Sequence, residues 1–150
     1  MNRFRSLIGV GVAALLFALC PAVATAQSVR GQGEYPSGVP FISNSHISVD
    51  AWVDREGVVH GSIADTGGVS FGVRGGLADP WFIEVVALRI DGNTAYVVGV
   101  VTHSLFPSDI GTVLFFRFTD NSGTGEPDEI SFDFGDVGLP IVAGNITVRD

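Results

Sequence analysis

The chain has 150 residues, 46% hydrophobic and only 16% charged, with 8 basic side chains (all arginine) against 16 acids. A formal charge of −8 excludes the clustered cations that non-specific binding to nucleic acid, or adhesion to an anionic membrane, requires. The length suits one domain with its own core and leaves no room for a second large one.

Residues 1–26 predict a secretory leader. Arg3 and Arg5 form its basic start, Leu7 to Leu19 its apolar stretch, and Ala24-Thr25-Ala26 a cleavage signal before Gln27. The apolar run is shorter than the roughly 20 residues that span a bilayer, and Pro21 ends it. Lipid attachment at Cys20 is opposed by Leu19 before it and Pro21 after it. Cleavage removes Arg3 and Arg5 but no acid, so the charge moves from −8 to −10. It also removes Cys20, the sole cysteine, and with it any disulfide or thiolate ligand. The mature chain is expected to be secreted or periplasmic, with no membrane segment after cleavage.

Beyond Gln27 no window keeps a 3.6-residue apolar period, and glycine clusters separate short β-prone runs. Residues 29–35 predict the first strand. In the second, Ile47, Val49, Ala51 and Val53 share one face, with His46, Ser48, Asp50 and Trp52 on the other. Asp54-Arg55-Glu56-Gly57 then turns the chain back into residues 58–63. The glycine-rich residues 66–76 read as a loop. Residues 81–90, the turn Asp91-Gly92-Asn93 and residues 94–102 form the clearest hairpin; residues 112–120 and 129–134 form another, and 139–149 a last strand. About eight short strands in residues 27–150 predict a single all-β domain, a compact antiparallel barrel or sandwich.

In the 112–134 hairpin, Leu114, Phe116 and Phe118 share a face with Ile130, Phe132 and Phe134, while Arg117, Ser131 and Asp133 lie opposite. The aromatic side belongs to the core. The 81–102 hairpin is apolar on both sides under strict alternation. Phe82, Glu84, Val86, Leu88 and Ile90 would face Ala95, Val97, Gly99 and Val101. Trp81, Ile83, Val85, Ala87 and Arg89 would face Thr94, Tyr96, Val98, Val100 and Thr102. Both sides should then be covered, one by the core and the other by a packed loop or by a homodimer through this hairpin. Gly99 is expected to allow a close backbone approach by the 66–76 loop.

Chemical motifs are sparse. Gly68-Val69-Ser70-Phe71-Gly72 matches the nucleophile-elbow string, but no helix follows, as that motif requires. His46, His60 and His103 lack the spacing of a metal site. Asp50, Asp54 and Glu56 crowd one turn, where solvation explains them. Asn145-Ile146-Thr147 fits a glycosylation sequon but falls in a predicted strand. One loop is packed with oxygen donors suited to calcium: Asp120, Ser122, Thr124, Glu126 and Asp128 alternate, with Gly125 for a sharp turn. Its twelfth position is Ser131, where a calcium loop of the EF-hand kind needs glutamate, and no helices flank it. No other cofactor is indicated.

Three segments together resemble a known group. Leu88 to Gly99 contains Gly92-Asn93-Thr94-Ala95, Phe118-Thr119-Asp120-Asn121-Ser122-Gly123 precedes Asp128, and Gly144-Asn145-Ile146-Thr147-Val148 closes the chain. This is similar to small exported bacterial β-domains of unknown function, of the post-COAP type, over residues 81–149. Ser122 interrupts the Asp-Asn-Gly run of that group, and Ala143 replaces the first glycine of its ending. The resemblance implies a compact antiparallel β-fold outside the cytoplasm and carries over no catalytic residue.

No nucleophile or acid–base set assembles in the sequence, so the leading expectation is a non-enzymatic binding or cell-envelope structural role. Two alternatives stand beside it. One is a barrel of lipocalin-like proportions holding a small apolar ligand. The other is a small hydrolase or isomerase, which needs His46 or His60 and an acid such as Asp50 or Glu84 in one pocket.

Overall fold

The computed structural model describes residues 26–36, 44–68, 79–133, 135 and 137–150, the side chains of 66–68 and 79 excepted. Residues 1–25 of the expected leader, residues 69–76 of the glycine-rich segment and Phe134 lie outside the described residues.

Nine strands follow one another: β1 (Ser28–Pro36), β2 (Asn44–Val53), β3 (Val59–Gly68), β4 (Asp79–Asp91), β5 (Thr94–His103), β6 (Val113–Thr119), β7 (Glu129–Phe132), β8 (Leu139–Pro140) and β9 (Ala143–Arg149). Among the described residues one 3-10 turn, Pro107–Asp109, interrupts them. All pairings are antiparallel, in the order β8-β7-β6-β5-β4-β3-β2-β1-β9. The chain is therefore an all-β domain built on one antiparallel sheet curled into a half-barrel.

Local chemistry accounts for the first elements. Asp54 Oδ1 accepts the amides of Glu56 (3.0 Å) and Val58 (2.8 Å), closing the β2–β3 turn. Gly57 supplies the left-handed step there, at φ +82°. In β2 the expected alternation holds, with Ile47, Val49 and Ala51 buried and His46, Ser48 and Asp50 exposed.

The expected last strand is two strands. Residues 139–140 pair with β7, whereas residues 143–149 pair with β1 at the far margin of the sheet. Flat, strands about 4.8 Å apart would leave these two margins nearly 40 Å from each other. The linker Ile141–Val142 can reach across only about 11 Å. The sheet must curl, and Ile141 and Val142 hold its margins together. Ile141 N donates to Asp128 O (2.7 Å) and Val142 N to Glu34 O (2.8 Å).

Curling needs room on the inner side. A Cβ at Gly33 would strike the Ile141 side chain, and one at Gly31 would strike the backbone of Asn145 and Ile146. The core fills the concave face: Val29, Ile47, Ile63, Ile83, Val97, Phe116, Phe118, Ile130 and Ile146 are fully buried, with Tyr35 and Trp81 beside them.

Two expectations about the hairpins are corrected. In β4 the register shifts at Val86, so Val85 lies opposite Gly99 and Ala87 opposite Val98. This bulge reverses the inward phase. Trp81, Ile83 and Val85 point inward before it, and Ile90 after it, with Leu88 partly buried on the same side. A strand with its phase reversed halfway reads as apolar on both sides when strict alternation is assumed. Gly99 meets the Ile83 side chain, so its small size serves core packing within the hairpin. At the other hairpin, β7 stops at Phe132 because Asp133 takes a left-handed conformation (φ 58°). Ser131, expected on the solvated side, is buried there and its hydroxyl donates to Gly135 O (2.8 Å).

Candidate functional site

The glycine-rich segment contributes three residues to β3, which runs to Gly68 rather than ending at Ile63. That extension places Asp65 in phase with Ile63, on the inner face. Asp65 is 5% exposed, and its Oδ2 accepts the Tyr35 hydroxyl at 2.7 Å. Its Oδ1 has no hydrogen-bond partner. Burial lifts the Asp65 carboxyl to about 6, against the opposing pull of the Tyr35 hydrogen bond and the His46 charge. Burial, and then the Asp65 charge, push the Tyr35 hydroxyl upward as well. Ser45, fully buried, lies opposite Tyr35, and Trp81 lies opposite Asp65. The result is a polar group of β1–β4 set inside an apolar core.

The convex side of the same strands carries His46 and His60. Arg30 Nε meets Asp50 Oδ1 at 2.9 Å, and its guanidinium lies 5.6 Å from the centre of the Trp52 ring. Trp52 stacks on His60 at 5.6 Å and 25°, and His60 Nε2 meets Asp54 Oδ2 at 2.7 Å. The His60 hydrogen bond, followed by the amide of Val58, holds Asp54 below the usual carboxylate range. This chain of contacts fastens β1, β2 and β3 across their outer face. Its imidazole and carboxylate stand on an exposed turn.

His46 lies at the opposite end of β2. Its Nδ1 is 3.6 Å from Glu34 Oε1, and Asn44 Nδ2 donates to Glu34 Oε2 at 2.9 Å. His46 and Glu34 border an open outer cleft of about 420 Å³ also lined by Gly33 and Gly144. His46 pairs with Thr66 and His60 with Trp52, so six residue steps, about 20 Å, separate the two histidines. Asp50 faces Arg30, and Glu84 lies opposite Ser62 on the outer side of β4. His46 and His60 therefore stand at opposite ends of β2 and β3, and Asp50 is tied to Arg30. His103 meets the Phe82 ring edge-on at 5.6 Å. Of the nucleophile-elbow string, only Gly68 is among the described residues. Asn145 is an exposed residue of β9 whose Nδ2 donates to Thr147 Oγ1 (3.1 Å).

The oxygen-rich loop sits at the seam of the half-barrel. Asp120 Oδ1 accepts Ser122 N (3.0 Å) and its Oδ2 accepts Val148 N (3.1 Å). Asp128 Oδ1 accepts Asn121 N and its Oδ2 accepts Ile146 N, both at 2.8 Å. Two carboxylates therefore cover the β9 amides that point away from β1, where a further strand would otherwise pair. Burial raises the Asp120 carboxyl, but hydrogen bonds from Ser122 and Val148 outweigh it and leave it below its ordinary value. Ser122, Thr124 and Glu126 are exposed on the outer bend. Among the described residues no group of three or more His, Cys, Asp or Glu is placed to hold a metal ion.

Among the described residues, exposed apolar side chains gather on the convex face of β4–β6. Phe82 is 47% exposed, Val86 51%, Val113 51% and Phe115 39%. Val98 and Val100, half-buried, lie between them. The bulge at Val86 puts two adjacent residues, Val86 and Ala87, on this side together.

No family model, curated protein or solved structure matches the chain. Sequence reasoning missed the Tyr35–Asp65 pair because it ended β3 at Ile63. The signal available was the parity of Asp65 with Ile63. For the pairing of the seam carboxylates with β9 no local signal existed, because those partners lie 18 and 28 positions away.

Proposed function

We propose that this chain is an exported, non-enzymatic β-domain that acts by association, in the cell envelope or outside the cell, through the convex face of β4–β6. The observation that carries this reading is the continuous apolar surface from Phe82 to Phe115, on the side opposite a filled core. Large exposed apolar patches on small domains mark contact surfaces. The concave side, occupied by Tyr35, Trp81, Phe116 and Phe118, leaves the convex side as the place to meet another molecule. The leader-like residues 1–26 and the resemblance of residues 81–149 to exported bacterial β-domains of the post-COAP type support the location.

The test separates an association surface from a folding core. Phe82→Ser, Val86→Ser and Val113→Ser together should leave the melting temperature within a few degrees, because these side chains are about half exposed in the single chain. The same variant should lose most of its binding of the apolar dye bis-ANS. A drop of more than about 10 °C, many times the effect of ordinary surface changes, would mean that the face belongs to the folding core, and the reading would fall.

A further inference from the structure

We infer that the partner of this face is a second copy of the same chain, packed sheet against sheet about a two-fold axis that runs across the strands. The inference rests on the reading of the face as an association surface.

The strand register sorts the face into three rows. Glu84, Val100 and Val113 form one; Arg89, Tyr96 and Arg117 form another two residues to the far side of the centre; Val98 and Phe115 occupy the middle, beside the bulge. On β4, Glu84 lies on one side of the central row and Arg89 on the other, with Asp91 two residues beyond Arg89. An axis along the strands would set the arginine row against itself. An axis across them reverses the strand direction, so Val98 meets Val98, Phe115 meets Phe115, and Arg89 of each copy faces Glu84 of the other. Only a contact between identical surfaces needs this self-complementary pattern.

Two further features fit. The chain carries −8 overall, yet here Glu84 and Asp91 are balanced by Arg89 and Arg117, so acidic repulsion is not concentrated on the contact. Arg89 reaches Asp91 only at 3.8 Å with both side chains exposed, a weak tie that leaves the guanidinium able to turn. Beside it an open cleft of about 410 Å³, floored by Ala87, runs to Val98 and would receive Val100 of the other copy. Three strands and about five residues of length give a contact at the small end of specific interfaces, so association belongs at micromolar concentration.

Sedimentation velocity of the exported protein from about 5 to 500 μM, spanning that range, tests the arrangement. Wild type should shift from monomer to dimer. Glu84→Arg and Arg89→Glu, each at an exposed site and each checked by circular dichroism, should weaken dimerisation about tenfold or more, as like charges meet. The double variant should recover to within about threefold of wild type, since the pair is restored in reverse. A wild type that stays monomeric, a dimer indifferent to the single variants, or a double variant as weak as the singles would each overturn the inference. The serine variant reports on the face whatever the oligomeric state, so failure here leaves the broader reading separately testable.

Discussion

Replacing Asp65 by asparagine removes a charge from the core while keeping an acceptor for the Tyr35 hydroxyl, which now donates to Asp65 Oδ2 at 2.7 Å. In the folded chain this carboxyl is lifted from 3.8 to about 6, chiefly by burial. The unfolded carboxyl releases its proton near 4, the folded one near 6. Between those values the native state holds more protons, so stability falls as pH rises through the window, and the loss is complete above it. A rise of this size corresponds to roughly 3 kcal/mol at about 1.4 kcal/mol per pH unit. Asparagine escapes that cost but buries amide protons without a partner, which offsets about 1 kcal/mol. Asp65→Asn should therefore be about 1–2 kcal/mol more stable than wild type at pH 8 and equal or slightly less stable at pH 4. Urea unfolding followed by tryptophan fluorescence at steps from pH 4 to 8 measures both limbs. If the two proteins keep a constant difference across that range, or the variant is the weaker at pH 8, the account of Asp65 is wrong.

Gly33→Ala should cost about 1–3 kcal/mol, because its Cβ would strike the Ile141 side chain at the point where the sheet margins meet; denaturant midpoints read this directly. Asp128→Ala leaves the amides of Asn121 and Ile146 without their acceptor, at about 1–3 kcal/mol for each that stays buried, and hydrogen exchange at Ile146 should quicken with it. Asp120, held below its ordinary value, contributes stability that is present above the unfolded pKa and lost as pH falls through the folded one, so Asp120→Asn should flatten the acid limb of a melt series. Calcium at millimolar concentration should shift the melting temperature by less than about a degree, since all four oxygens of Asp120 and Asp128 already accept backbone amides; a rise of several degrees would show that the loop rearranges around the ion.

The elements legible in the sequence are those fixed by neighbours. The inward phase of β2 follows from the alternation of Ile47, Val49 and Ala51, and the β2–β3 turn from an aspartate four residues before the amide it accepts. The Asp91–Thr94 turn register is equally local. What escaped depends on distant pairing. Val86 is an unremarkable strand residue until β5 is laid against it and one position has no opposite number. Residues 139–149 read as one strand because nothing within them shows that two margins of a sheet compete for them. Asp65 was hidden by glycines after it, which suggested a loop where the strand continues. The candidate association face was legible as an excess of apolar residues, but its composition was not, because the bulge reassigns Leu88 and Ile90 to the core and leaves Val86 and Ala87 outside.

The pairing of the last strand with the first also constrains the order in which the molecule can form. Ser28 lies beside Arg149, and Gln27 Nε2 bonds Asp150 Oδ1 at 3.0 Å across 123 positions of chain. Until residues 143–149 emerge, β1 lacks a neighbour on one side and the carboxylates of Asp120 and Asp128 have no amides of β9 to receive. Closure joins segments whose sequence separation makes the search slow. Were such a chain to cross a membrane pore from its N-terminus, it would stay open for as long as its tail remained behind.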